Sequence, residues 1–302
     1  MVRNASLNRR QLITGATAAV AAGAITSPSF APGASAQSGT TALQIGRETE
    51  FAPILVPLHT STGTQTQIFD LIYSRLLKVK DDLSFQPDAA ESYEVSADAT
   101  TFTFKIRAGM TWHDGTPFTA NDIIFTYKLA LTKATGAGAA GKLKQIKGAT
   151  AFFDGTATEI EGLELVDDST IRITLEKPNV AWLTGTAGTN SMIWILPEHI
   201  YTDADPAAID QFSASQAPTV GSGAYQFVEY VPDQYVSFKA NPSFYLGAPK
   251  IEQVFIRLAE PATQLAQLES GELHMMSRMV AKEAKRLESS DVLTILYTQG
   301  VG

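Results

Sequence analysis

The four histidines, His59, His113, His199 and His274, stand 54, 86 and 75 residues apart. None pairs with another at the spacing that puts two imidazoles on one helical face, and no HExxH zinc motif forms. The chain has no cysteine, which removes disulfides, thiolate nucleophiles, iron–sulfur clusters and cysteine zinc sites. Gly221-Ser222-Gly223 superficially suggests a serine hydrolase, but a nucleophile elbow needs G-x-S-x-G, and Val220 precedes Gly221. Gly136-Ala137-Gly138-Ala139-Ala140-Gly141 fits GxGxxG literally. It trails a helical run ending near Lys133 instead of following a strand, so it reads as a flexible small-residue linker. Trp112-His113-Asp114-Gly115 sets an imidazole beside a carboxylate, yet Asp-Gly ahead of a capped helix is turn chemistry. These residues favour binding over bond-breaking, with no metal or cofactor expected. An exported hydrolase remains the alternative of a different class, since scattered triads leave no local motif.

The elements that must position such a site are short and mixed. Thr41 to Arg47 reads as a first strand, with Leu43 and Ile45 on one face, and Gln65 to Leu77 as a helix. Thr101 to Arg107 and Thr170 to Leu175 alternate as half-buried strands. Thr119-Ala120-Asn121-Asp122 is a capping box opening a helix to about Thr132, with Trp112 and Phe118 packed beneath it. Ala224 to Ala240 reads as a hairpin turning near Pro232-Asp233, and Lys250 to Leu258 as a strand. Pro261 opens a helix that Gly271 ends. Ala281 to Ser289 forms another helical run, expected to leave apolar surface exposed. Few helices intervene between strands, which makes the class α+β (mixed α/β). A length of 302 residues suggests two domains.

Composition describes a soluble globular protein, 44% hydrophobic and 18% charged, with mean hydropathy near zero. The formal charge of −8 argues against nucleic acid as a partner. At the N-terminus, Arg3, Arg9 and Arg10 precede a weakly apolar stretch from Leu12 to Ile25, and no acidic residue occurs before Glu48. Ala34-Ser35-Ala36 offers a small-x-small cleavage site, so residues 1–36 read as a signal peptide and the mature chain starts at Gln37. Arg9-Arg10 with so muted an apolar stretch points to the twin-arginine route, and the destination is periplasmic. Losing three arginines takes the formal charge from −8 to −11.

Local features then follow in a familiar order: Leu76-Leu77, Pro87 to Tyr93 (PDAAESY), and Phe102 to Asp122 with its Trp112-His113-Asp114-Gly115 turn. Gly221 to Phe227 (GSGAYQF), Asn241 to Tyr245 (NPSFY) and Leu268 to Leu273 (LESGEL) come next. This order resembles family 5 extracellular solute-binding proteins, the dipeptide, oligopeptide and nickel binders of ABC importers, over residues 65 to 275. The resemblance implies a class II periplasmic binding fold of two lobes with an inserted small domain, the second lobe mostly absent from the 302 residues. It divides the chain into residues 37–64 starting lobe I, 65–185 as the insert, 186–260 returning to lobe I, and 261–302 beginning lobe II. It implies a monomer that captures a small solute, most readily a peptide, and hands it to the transmembrane permease subunits. A nickel chelate or an oligosaccharide is the alternative ligand. Lobes close over ligand by hinge motion, so the 302 residues alone would offer one wall and bind weakly. The site residues implied are Glu48, Glu50, Phe51 and His59 in the loop after the first strand, with Asn190 and Trp194 from a later segment. Glu48 and Glu50 suit a ligand amine, and the Trp194 indole either stacks on ligand or fills the core. The loop lacks the Leu-Asp-Pro common there in the family, and the second glycine of 221–223 is followed by Ala224 where the family has proline.

Replacing Arg9 and Arg10 together by lysine is expected to trap precursor in the cytoplasm, as read by fractionation. Undiminished export of that double variant would point to the general secretory route.

Overall fold

The computed structural model describes residues 41–48, 55–59, 63–80, 84–183, 193–276 and 279–296. Residues 1–36, and with them the expected signal, cleavage site and arginine pair, lie outside that set. No helix among the described residues is long and apolar enough to cross a membrane.

Two main sheets organise the rest. The first has β1 (Ala42–Arg47), β8 (Tyr225–Val231), β9 (Tyr235–Ala240), β10 (Gln253–Leu258) and β11 (Met275–Met276), in the order β11-β1-β10-β9-β8. β1 runs parallel to β10 and β11, whereas β10, β9 and β8 are antiparallel neighbours. The hairpin expected at 224–240 is there, with Asp233 taking a positive φ of 58° at its turn. Helix Pro261–Ser270 starts at its proline and stops at Gly271, which is left-handed at φ 80°.

The second sheet is antiparallel: β4 (Ala90–Val95), β5 (Thr101–Ile106), β7 (Thr170–Thr174) and β6 (Leu163–Asp167), in that order. Alternation along β5 buries Phe102, Phe104 and Ile106 and turns Thr101, Thr103 and Lys105 away from the core. Phe104 pairs with Ile171 and Phe102 with Ile173 across to β7, and Trp182 closes on Phe102 at 5.0 Å between ring centroids. Full burial of each such side chain is worth about 1.5–3 kcal/mol. A two-stranded ribbon, β2 (Leu77–Val79) with β3 (Phe85–Pro87), lies between β1 and this sheet in sequence.

Two expectations need correction. The helix expected to reach Leu77 is α1 (Gly63–Ile72), and Leu77 opens β2 instead. The cause is tertiary: the Ser74 N–H donates to Ser222 Oγ (3.0 Å), and the Ser74 carbonyl accepts from Ile195 N–H (2.9 Å). Residues 134–141 are also not a loose linker. They form a 3₁₀ turn (Lys133–Thr135) and the start of α3 (Ala140–Leu143), with Ala137 buried and Gly138 N–H donating to the Leu58 carbonyl (3.0 Å). Helix Ala281–Leu287 buries Ala284 and Leu287, and Arg286 pairs with Glu269 at 2.8 Å. The exposed apolar residues are those flanking it, Val280, Val292 and Leu296.

Most of the motifs that carry the resemblance meet at one junction, whereas Leu268 to Leu273 lies against β1, with Leu273 beside Gly46. A Cβ on Gly221 would lie 2.2 Å from the Ile72 carbonyl oxygen, and one on Gly223 would lie 2.3 Å from that of Leu71, so only glycine lets the segment leading into β8 reach the end of α1. Gly223 N–H donates to the Ile72 carbonyl (2.7 Å) and Ser74 Oγ–H to the Ser222 carbonyl (3.2 Å). His113 closes the other side. Its Nδ1 accepts from Gly221 N–H (3.0 Å), its Nε2 lies 3.0 Å from the Gly223 carbonyl, and its own backbone N–H donates to the Gly221 carbonyl (2.7 Å). Asn241 Nδ2 donates to the same Gly223 carbonyl (3.1 Å). Tyr245 donates its hydroxyl hydrogen to Asp88, a fully buried carboxylate that also takes Arg75 N–H (2.9 Å) and the Lys78 ammonium (3.1 Å).

The expected cap is present on α2 (Ala120–Leu131). Thr119 Oγ1 accepts from Asn121 N–H (3.3 Å), and Asp122 reaches back to accept Thr119 N–H (2.9 Å). Trp112 packs on Phe118 at 4.9 Å between centroids. Asp122 takes a further bond, from Glu198 N–H (3.0 Å), and its burial raises its pKa. Thr119→Ala is therefore expected to cost about 1 kcal/mol. Asp122→Ala should cost more, because it strands two backbone N–H groups. Denaturant unfolding of both variants checks the order, and equal or negligible losses would contradict it.

Candidate functional site

Parallel strands deliver their carboxyl ends, and the loops that leave them, to one edge of a sheet, which is where open mixed sheets commonly bind ligand. β1 and β10 end side by side: Arg47 pairs with Leu258 in register, and Ala259 N–H donates to the Arg47 carbonyl (3.0 Å). Two segments leave this edge. One begins at the exposed Glu48 and leads to His59; the other, Ala259-Glu260, crosses into helix Pro261–Ser270. Arg47 is buried beside them. Gln264, in the first turns of that helix, is fully buried and donates through Nε2 to the Ala259 carbonyl (2.5 Å). The sequence reading passed over Arg47 and Gln264; a polar residue on the inward face of a short amphipathic helix was the available signal for Gln264.

Of the six residues assigned from sequence, Glu50, Phe51 and Asn190 lie outside the described residues. His59 follows the buried Leu55, Val56 and Leu58, and its Nε2 stands 2.8 Å from Asp210 Oδ1. Trp194 is 2% exposed. Its indole N–H donates to Asp70 Oδ1 (2.9 Å), the Arg75 guanidinium lies over the ring at 5.0 Å, and Phe69 meets the ring edge-on at 5.1 Å. Asp70 also pairs with Arg75. Of the two roles weighed for Trp194, this geometry is that of the core. The segment carrying it is pinned just after the indole, by Ser74 at Ile195 and by Thr126 Oγ1, which accepts Leu196 N–H (2.9 Å). The structure does not bring Glu48, His59 and Trp194 into mutual contact.

The other residues that suggested catalysis have structural partners. His113 is held by backbone on both ring nitrogens, and His199 Nε2 meets Asp114 Oδ2 at 2.8 Å, with no hydroxyl bonded to either imidazole among the described residues. Ser222 Oγ accepts from the Ser74 backbone and is 1% exposed with its residue. Among the described residues no group of three or more metal-ligating side chains is placed to hold an ion. A cavity of about 10 Å³ between Arg75, Leu77, Phe104 and Tyr127 is sized for one water, far below a peptide.

The model for bacterial extracellular solute-binding proteins, family 5 Middle, matches residues 84–302. A Brucella ovis protein provisionally named as an ABC transporter peptide-binding protein is 34% identical over 187 residues, 62% of this chain and 32% of its own length. The oligopeptide-binding protein AppA of Bacillus subtilis is 25% identical over 79% of this chain and 41% of its own. Among solved structures, Haemophilus influenzae OppA in complex with RPPGFSPFR is similar at a TM-score of 0.70 and 26% identity, over 83% of this chain and 49% of that one. Campylobacter jejuni NikZ in complex with Ni(L-His) is similar at a TM-score of 0.68 and 25% identity, over 83% and 45%. The chain thus spans half or less of the length of these relatives, and the mixed α/β fold is that of periplasmic binding proteins. With the family model covering most of its length, the chain belongs to family 5 of the bacterial extracellular solute-binding proteins.

Proposed function

We propose that this chain is part of the solute-capturing component of an ABC importer, exported to the periplasm, with a peptide as its ligand. The observation that carries the reading is the match to family 5 together with relatives named for peptide binding. Export is supported by the Arg9-Arg10 pair, the weak apolar stretch and the Ala36 cleavage signal. The lobe assignment is supported by sheet composition: β1 joins strands that lie beyond residue 224, while the antiparallel sheet draws only on residues 90–174. On this reading residues 65–185 are inserted into a lobe built from 37–64 and from 186 onward, and because β11 (Met275–Met276) pairs on β1 the lobe extends through residue 276 and not only to 260 as expected from the resemblance. The loop carrying Glu48, Glu50, Phe51 and His59 borders the ligand, Asn190 approaches from the second segment, and Trp194 supports that segment from within.

Binding then proceeds through backbone groups and a few side chains, without bond chemistry, and the loaded monomer docks on the permease subunits. A wall at the carboxyl ends of β1 and β10 needs a facing wall to desolvate a ligand from both sides. Titration calorimetry tests this on the mature form, residues 37–302, and on a form spanning the relatives' full length, with a di- to pentapeptide library. The longer form is expected to bind one-to-one and saturably, the shorter one weakly or not at all. Heat from Ni(L-His) alone, the ligand in the NikZ complex, would replace the peptide with a chelate. Product release without saturable binding would favour the hydrolase, and tight binding by the short form would mean that the ligand wall lies elsewhere.

A further inference from the structure

From Ile123 to Phe153 the chain carries five lysines and no acidic residue, in a protein whose mature form holds 20 basic against 31 acidic residues. Two of the five are neutralised: Lys128 by Glu159 and Lys147 by Glu161, each at 2.5 Å. Lys133, Lys142 and Lys144 have no carboxylate within 4 Å among the described residues. They occupy the 3₁₀ turn, α3 and the residue that ends α3. Two of them converge on one ring at the end of α4 (Ala149–Phe153): Lys144 Nζ lies 3.3 Å and Lys133 Nζ 5.9 Å from the Phe153 centroid. The quadrupole of the ring attracts each ammonium, but the two repel one another, and an anion between them would relieve that repulsion. The nearest carboxylate in sequence, Asp154, is exposed and pairs with neither lysine.

We propose that this surface docks the protein on an anionic phospholipid membrane, with Lys133, Lys142 and Lys144 meeting headgroup phosphates and half-buried Phe153 seated at the interface. The array fits a membrane better than a single bound phosphate. Lys133 is exposed and Lys142 and Lys144 are half-buried, and none of them lines the cavity beside Arg75 and Tyr127. Surface lysines are attracted to an anionic leaflet individually and additively, and the attraction fades within a Debye length. The inference rests on the exported location proposed above, where such a leaflet is within reach. Its test uses purified protein and does not depend on export, so either can fail without the other.

The mature protein (residues 37–302), free of its three signal arginines, is sedimented with vesicles of equal phosphatidylglycerol and phosphatidylcholine. Binding is expected at about 25 mM salt and should weaken about tenfold or more at about 300 mM, with none to phosphatidylcholine alone. Lys133→Gln/Lys142→Gln/Lys144→Gln should weaken binding about tenfold while melting near the parent temperature; Lys128→Gln/Lys147→Gln, with its lysines already paired, should bind like the parent. Equal binding by parent and triple variant, or binding to neutral vesicles, would overturn the proposal. So would absence of vesicle binding with inorganic phosphate or solubilised permease bound through the same lysines.

Discussion

A glycine strand pressed against the end of a helix, and a neutral imidazole holding it there, is the constraint on which the rest depends. Gly221 and Gly223 lie so close to the carbonyls of Leu71 and Ile72 that a methyl group at either position would overlap them. With Nδ1 accepting from Gly221 N–H, His113 can only donate from Nε2, to the Gly223 carbonyl. That assigns the tautomer and requires the uncharged ring. Burial works in the same direction, lowering the pKa of His113, with Lys239 adding to the effect and Asp114 opposing it. From this clasp the connections run outward: through Ser222 to Ser74 and the Trp194–Ile195 segment, through Asn241 to the start of the NPSFY motif, and through Tyr245 to the buried Asp88. Family resemblance and structure therefore coincide for a physical reason. The motifs around Asp88, His113, Gly221 and Asn241 form one packed junction between the hairpin strands, α1 and the loop ahead of α2.

Much of this architecture was legible from local chemistry. The alternation of Thr101 to Ile106, the Thr119–Asp122 box, the hairpin around Asp233 and the proline-to-glycine helix at 261–271 all depend on neighbours within a few residues, and each appears where the sequence puts it. What was not legible depends on distant partners. α1 ends at Ile72 because of Ser222, about 150 residues away. Residues 134–141 pack because Leu58 accepts from Gly138. β6 escaped notice because Leu165 and Val166 are exposed on an edge strand, so no alternation marks it. His113 looked like part of an Asp-Gly turn, and Asp114 does hold that turn through Thr116 N–H (3.0 Å), but the histidine's partners lie 108 and 110 residues on.

The site divides in the same way. The ligand wall proposed in the loop after the first strand rests on resemblance, and the parallel pairing of β1 with β10 supplies the physical reason for proposing one at that edge. Trp194 illustrates the opposite case. An indole in a polar segment invites a stacking role, but the Asp70 carboxylate takes its N–H and Arg75 covers its face, so it braces the segment. Around the His113 clasp, carbonyls, amides and carboxylates hold segments together.

The most direct test of that claim is the stability of His113→Asn against the parent, measured by denaturant unfolding across pH. The folded state holds His113 neutral, with its pKa below the unfolded value of about 6.5, so the unfolded chain binds the extra proton and stability falls as pH drops through that region. At pH 7.5 the variant, which strands the Gly221 N–H, should be less stable by about 1–3 kcal/mol. As pH falls toward 5 the gap should narrow, because only the parent then bears the cost of protonation. A gap near zero at pH 7.5, or one that stays constant or widens on acidification, would contradict a neutral histidine clasp at the centre of the fold.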